Sequence, residues 1–120
     1  MSNKIFDIKE RTFQFSKQII FLIQEIDYAR KYDSIFNQLL RSATSVGANV
    51  AEGKSGSSKN DFLKFQIIAL KSANETKYWL RLIKESLPVN EKKFDDLINE
   101  IDEISKVLAT IIIKNKGSDL

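Results

Sequence analysis

Four stretches of the chain carry apolar residues at steps of three and four, the spacing that lines one face of a helix. The first runs from about Lys4 to Ala29, where Ile5, Ile8, Phe15, Ile19, Leu22 and Ile26 share a face. Phe6, Phe13 and Ile20 form a second stripe on a different face of the same segment. A surface helix needs only one apolar stripe, so the second points to burial on two sides, within the fold or against another subunit. The run Arg30-Lys-Tyr-Asp-Ser34 breaks the pattern.

The second helix is expected over about 34–52, capped by Asp33 or Ser34, with Ile35, Leu39, Ala43, Val46 and Val50 inward. Gly53 fits the left-handed position that commonly ends a helix. The third is expected over about 58–87. Ser58 and Asp61 resemble a capping box, and Phe62, Phe65, Ala69, Ser72, Thr76, Leu80 and Ile83 share a face. Pro88 disfavours helical geometry at Leu87 and should end it. The fourth is expected over about 90–114 behind an Asn90 cap. There Phe94, Leu97, Ile101, Ile104, Leu108 and Ile111 keep the pattern without a miss, and the tail from Lys114 should fray. Four amphipathic helices with short connections predict an all-α, up-down-up-down antiparallel four-helix bundle, one domain over 1–120.

Composition narrows the chemistry. The chain has no cysteine and no histidine. Disulfides, Cys/His zinc sites, Ser-His-Asp triads and the Glu-x-x-His motifs of di-iron bundles are therefore excluded. No nucleophile–base pair, metal motif or cofactor loop remains, so a non-enzymatic protein with no cofactor and no metal is expected. No apolar run reaches the length of a membrane span, which makes a cytoplasmic protein the expectation. One stretch, Gly47-Ala-Asn-Val-Ala-Glu-Gly-Lys-Ser55, imitates a phosphate-binding loop, but five residues rather than four separate its glycines. A true loop of that kind also follows a strand, and this one follows helical spacing.

Within 41–52 small residues dominate, and they allow a neighbouring helix to come close. Gly47 in a helix interior costs about 1 kcal/mol relative to alanine, which close packing would offset. Arg41, Ser45, Asn49 and Glu52 follow at steps of four, four and three, and Ser72 and Glu75 lie in or beside the third helix's stripe. These six are read as a structural polar network that fixes helix register.

Net charge is +3, from 19 basic and 16 acidic residues. Basic residues predominate over 54–86 and acidic ones over 87–120. Lys54, Lys59, Lys64, Lys71, Lys77, Arg81 and Lys84 are candidate nucleic-acid contacts. On the helix Lys64 and Lys71 flank one side of the stripe and Lys77, Arg81 and Lys84 the other, so one copy has no single dense basic face.

Ser42-Ala-Thr-Ser-Val-Gly-Ala-Asn-Val-Ala-Glu-Gly53 and the segment from Ser57 through Leu80 resemble the bacterial four-helix bundle family of 23S rRNA intervening-sequence proteins. That family includes the accessory variability determinant of diversity-generating retroelements. Asn49 through Gly53, the Ser58/Phe62/Phe65 helix start and Ala69–Ser72–Glu75 carry the likeness most specifically. Gly47 stands where the family commonly has proline. The resemblance implies a homopentameric ring, which would give Phe6, Phe13 and Ile20 a subunit interface to fill. It also implies an accessory role beside structured RNA or DNA, or beside a protein partner such as a reverse transcriptase. The alternative is an oligomeric protein–protein scaffold without direct nucleic-acid contact, its acidic fourth helix facing a basic partner.

Overall fold

A computed structural model describes residues 8–55 and 58–117. Four helices dominate: α1 (Ile8–Glu25), α2 (Asp33–Lys54), α3 (Lys59–Ser86) and α4 (Glu91–Gly117). A single 3-10 turn, Arg30–Tyr32, leads into α2, and no strand occurs among the described residues. In space α2 packs between α1 and α3, α3 between α2 and α4, and α4 closes sparingly on α1.

The α4 stripe is buried as its spacing predicts, with Phe94, Leu97, Ile101, Ile104, Leu108 and Ile111 all in the core. Ile8, Phe15, Ile19 and Leu22 are the core face of α1, with Thr12 buried among them. Ile5 and Phe6 lie outside the described residues. α1 ends at Glu25, earlier than expected, and Ile26 and Tyr28 pack half-buried against the core from the connection. Tyr28 stacks on Phe36, ring centroids 3.9 Å apart, which seats the connection on the first turn of α2. Phe36 therefore takes the buried place expected of Ile35, which is only half-buried.

Caps differ from expectation at one helix. α2 begins at Asp33, preceded by Tyr32, and no side chain caps its first turn. Ser58 does cap α3, its Oγ accepting from the Asp61 N–H at 3.1 Å. Asn90 caps α4, its Oδ1 accepting from the Lys93 N–H at 3.1 Å. The end of α4 does not fray at Lys114: the helix continues to Gly117, and Asn115 donates to the Ile111 carbonyl at 2.7 Å.

On α3 the seam is turned from the expected one. Leu63, Gln66, Ala69, Ala73, Thr76, Leu80 and Ile83 are buried, whereas Phe62, Phe65 and Ser72 are half-buried. The cause is that α3 packs on two neighbours. Its buried arc centres between α2 and α4, and the expected face covers only the α2 side.

Gly47 and Gly53 are both helical, and none of the described glycines has positive φ. A Cβ on Gly47 would lie 3.2 Å from the Thr12 carbonyl oxygen, so Gly47 is where the α1 and α2 backbones approach. Gly53 is no left-handed cap. It lies in the last turn of α2, where a Cβ would come within 3.1 Å of both Phe65 Cβ and Gln66 Nε2.

Candidate nucleic-acid interface and its polar seam

The segment that imitates a phosphate loop is helix throughout, from Gly47 to Lys54. The small residues of α2 work on both its sides. Toward α1, Ser16 Oγ bonds its own Thr12 carbonyl at 3.1 Å and lies 3.4 Å from the Ala43 carbonyl. Toward α3, hydroxyls face each other. Ser45 and Ser72 meet at 2.9 Å, and Asn49 donates to both the Ser45 carbonyl and its Oγ.

One turn away, Thr76 Oγ1 lies 3.0 Å from Ser42 Oγ and 2.7 Å from the Ser72 carbonyl, and Ser42 lies 3.2 Å from the Leu39 carbonyl. These two hydroxyls have two protons for three contacts, so one contact is unfilled at any instant. Ser42 and Thr76 are buried, and the small polar seam locks α2 against α3.

Of the six residues expected in this network, Ser45, Asn49 and Ser72 belong to it. Arg41 and Glu52 are exposed, and their side chains have no partner among the described residues. Helix geometry explains the split: each residue turns about 100°, so steps of four drift toward α3 while Arg41 and Glu52 stay toward solvent. Glu75 is also exposed and accepts from Trp79 Nε1 at 2.9 Å within its own helix. Sequence reasoning left out Ser42 and Thr76. Their signal was the three-residue spacing of Ser42 from Ser45, which puts both on one side of α2.

The seven candidate basic residues separate into classes. Lys77 bonds Asp102 at 2.6 Å, Lys84 pairs with Asp95, and Arg81 pairs with Glu85 four residues on. The hydrogen bond with Asp95 holds the Lys84 ammonium above the usual lysine range, against the opposing effect of desolvation. Lys77 and then Lys106 hold the Asp102 carboxyl below its usual range. These basic groups tie α3 to α4 or to itself and have little charge left to offer. By contrast Lys54, Lys64 and Lys71 are exposed and have no acidic partner among the described residues. Lys64 Nζ sits 5.8 Å from the Phe65 ring centroid. Lys59 is exposed at the start of α3. The structure adds Lys9, Lys114 and Lys116, also exposed and without an acidic partner among the described residues. One cleft is lined together by Ile8, Lys54, Phe62, Gln66, Ile111, Lys114 and Asn115, so the start of α1, the end of α2, the start of α3 and the end of α4 meet at one pole.

Phe13 and Ile20, expected at a subunit interface, are 58% and 40% exposed. The third member of that stripe, Phe6, lies outside the described residues. Phe13 borders an outer groove of about 750 Å³ between α1 and α2, with Ser16, Gly47, Ala48 and Ala51 along it and Lys9, Glu10 and Lys54 at its margins. Phe21 adds a further ring, 54% exposed, elsewhere on α1.

These features define a class: an all-helical protein whose first three helices are keyed by small residues, with Lys54 and Lys114 among the unpaired lysines at one pole. Its family is that of the 23S rRNA-intervening sequence proteins, whose profile matches residues 4–110, and the chain belongs to it. Among solved structures it is similar to a protein of unknown function from the S23 ribosomal protein family of Bacteroides thetaiotaomicron. The two are 35% identical, with a TM-score of 0.77, over 88% of this chain and 97% of that one. No curated protein matches. No helix among the described residues is long and apolar enough to cross a membrane.

Proposed function

We propose that this chain is a non-enzymatic, nucleic-acid-associated accessory protein of the cytoplasm, an up-down-up-down four-helix bundle that works as a homopentameric ring. The observation that carries the nucleic-acid reading is the division of its cations. Lys77, Arg81 and Lys84 are spent on internal ion pairs, while Lys54, Lys64, Lys71 and Lys114 stand exposed without acidic partners among the described residues. Unpaired lysines suit phosphates, and repetition around a ring would multiply a modest patch into a strong field. The exposed Phe13 and Ile20 beside a groove of small residues support an interface between copies.

The test is binding of the purified protein to a structured RNA across a salt series, with assembly mass recorded in the same runs. The expected outcome is binding by an oligomer that weakens steeply as salt rises, because phosphate contacts release counterions. An oligomer that ignores RNA even at low salt would move the reading to a protein–protein scaffold. The exposed Tyr78 and Ile113, away from the α1 groove, favour that second reading, with a partner such as a reverse transcriptase.

A further inference from the structure

The pole where all four helices meet holds a cleft of about 220 Å³. Its walls are mostly apolar, from Ile8, Phe62 and Ile111, with Lys54 and Lys114 beside them. Gln66 also lines it. Its side chain is buried, only 1% exposed, and its Oε1 has no hydrogen-bond partner among the described residues. A buried amide oxygen left unpaired destabilises a fold, so such an atom calls for an explanation. The amide packs against Gly53, where any Cβ would come within 3.1 Å of Gln66 Nε2 and of Phe65 Cβ.

The missing ligand must match three features. It needs an N–H donor for Gln66 Oε1, an apolar flat or compact body for the Ile8, Phe62 and Ile111 walls, and negative charge outside for Lys54 and Lys114. The cleft is smaller than the roughly 300 Å³ at which sites for drug-sized ligands begin, so it suits one ring system and not a whole cofactor. An unpaired nucleobase answers each requirement. Its exocyclic or ring N–H groups donate, its faces stack on aromatic side chains, and its flanking phosphates stay outside.

We infer that this cleft takes one unpaired base of single-stranded nucleic acid, with Phe62 against its face, the inaccessible Gln66 amide turning outward to accept from the base edge, and Lys54 and Lys114 on adjacent phosphates. This deepens the nucleic-acid reading and rests on it. It also assigns the site to one end of the bundle and gives the protein a preference for unpaired over paired strands.

The experiment uses the full chain with three probes: a short unstructured RNA containing 2-aminopurine, the DNA of the same sequence, and a blunt RNA duplex of that sequence. Affinity and 2-aminopurine fluorescence are read for the native protein, Gln66→Leu, Lys114→Ala and the double variant Lys64→Ala/Lys71→Ala. Native protein should prefer single strands over duplex by about tenfold, as base–aromatic stacking allows, and should change the fluorescence. Gln66→Leu should lose the preference and the fluorescence change while melting no lower than native, since it removes an unpaired buried oxygen. Lys114→Ala, on the surface, should weaken single-strand binding without affecting the fold. The double variant should weaken all probes alike and keep the preference. A Gln66→Leu protein that still prefers single strands and still changes the fluorescence would overturn the assignment. Equal binding of strands and duplex by native protein would overturn it too, yet leave the nucleic-acid reading standing. Binding of none of the probes would sink both.

Discussion

Gly53 shows how much one absent side chain controls. It sits in the last turn of α2 with Phe65 Cβ and Gln66 Nε2 each 3.1 Å from where a Cβ would lie, and the Phe62 carbonyl oxygen at 3.5 Å. A valine there must push α3 away or distort its own turn. Gly53→Val should therefore destabilise the protein by about 1–3 kcal/mol, read from urea unfolding midpoints; an unchanged midpoint would refute the close approach. Sequence alone said that this residue mattered and gave the wrong reason. A glycine before a flexible, serine-rich run looks like a helix terminator, because the alternative cause is a contact with a segment nine and more residues away. Gly47 was more legible. Flanked by small residues inside a helical pattern, it had to be a close approach, and only its partner, Thr12 on α1, was hidden.

Among the elements, α4 was the most readable because one clean stripe faces one core. α3 was less so, since a helix with neighbours on two sides buries a wider arc than any single stripe describes, and Leu63, Gln66 and Ala73 fell outside the expected face. The tie between α1 and α4 was not readable at all. Arg11 donates from Nε and Nη2 to the two carboxylate oxygens of Glu100 at 2.7 and 2.8 Å, and from Nη2 to Glu103 at 2.9 Å. The partners stand 89 and 92 residues away, beyond the reach of any local pattern. The hydrogen bond to Glu100 is the main cause that raises the Arg11 pKa further above its ordinary value, so the guanidinium stays charged at every accessible pH. Since α4 closes on α1 sparingly, this paired fork and the Lys93–Glu25 pair at 2.8 Å reinforce the apolar contact between the two. Arg11→Ala should cost about 2 kcal/mol, the range for hydrogen bonds to charged groups, and should speed hydrogen exchange in α1 before the other helices. Uniform exchange in all four helices would count against it.

The α3–α4 ties give the fold a pH window. Asp102 is held below its usual range by Lys77 and Lys106, so its contribution is present above the unfolded carboxyl value of about 3.9 and is lost as pH falls through the lower folded value. Lys84, raised by Asp95, is the mirror case: its contribution is present below about 10.4 and is lost as pH rises through the raised folded value. Melting temperature should therefore be level between these limits and decline beyond both. Asp102→Asn should flatten part of the acid decline, and an acid limb unchanged by that substitution would show that other carboxylates govern it.

At the scale of the whole molecule, the surface outside the core is divided. Phe13 and Ile20 belong to an outer face of α1 that borders the small-residue groove. If copies assemble there, Phe13→Glu should lower the assembly mass in solution while leaving the helical circular dichroism intact. A mass unchanged by Phe13→Glu would place the interface elsewhere. The double stripe was visible in the sequence as a surplus of apolar positions. The lysine pole was not, because Lys9, Lys54 and Lys114 come from three helices that meet only once the chain is folded, and the cleft among them needs α3 as well.

That arrangement has a further physical result. The paired acids of early α4, Asp95 and Asp96 among them, lie toward one end of a body about 50 Å long, and Lys9, Lys54 and Lys114, without acidic partners among the described residues, lie toward the other. A small net charge is thus spread as a permanent electric dipole along the long axis. In the field of a polyanion such a body feels a torque before it feels much attraction, and it turns its lysine end forward while still at a distance. Ionic strength would then govern the orientation of arrival as well as its rate, and dilute salt should favour end-on encounters over broadside ones.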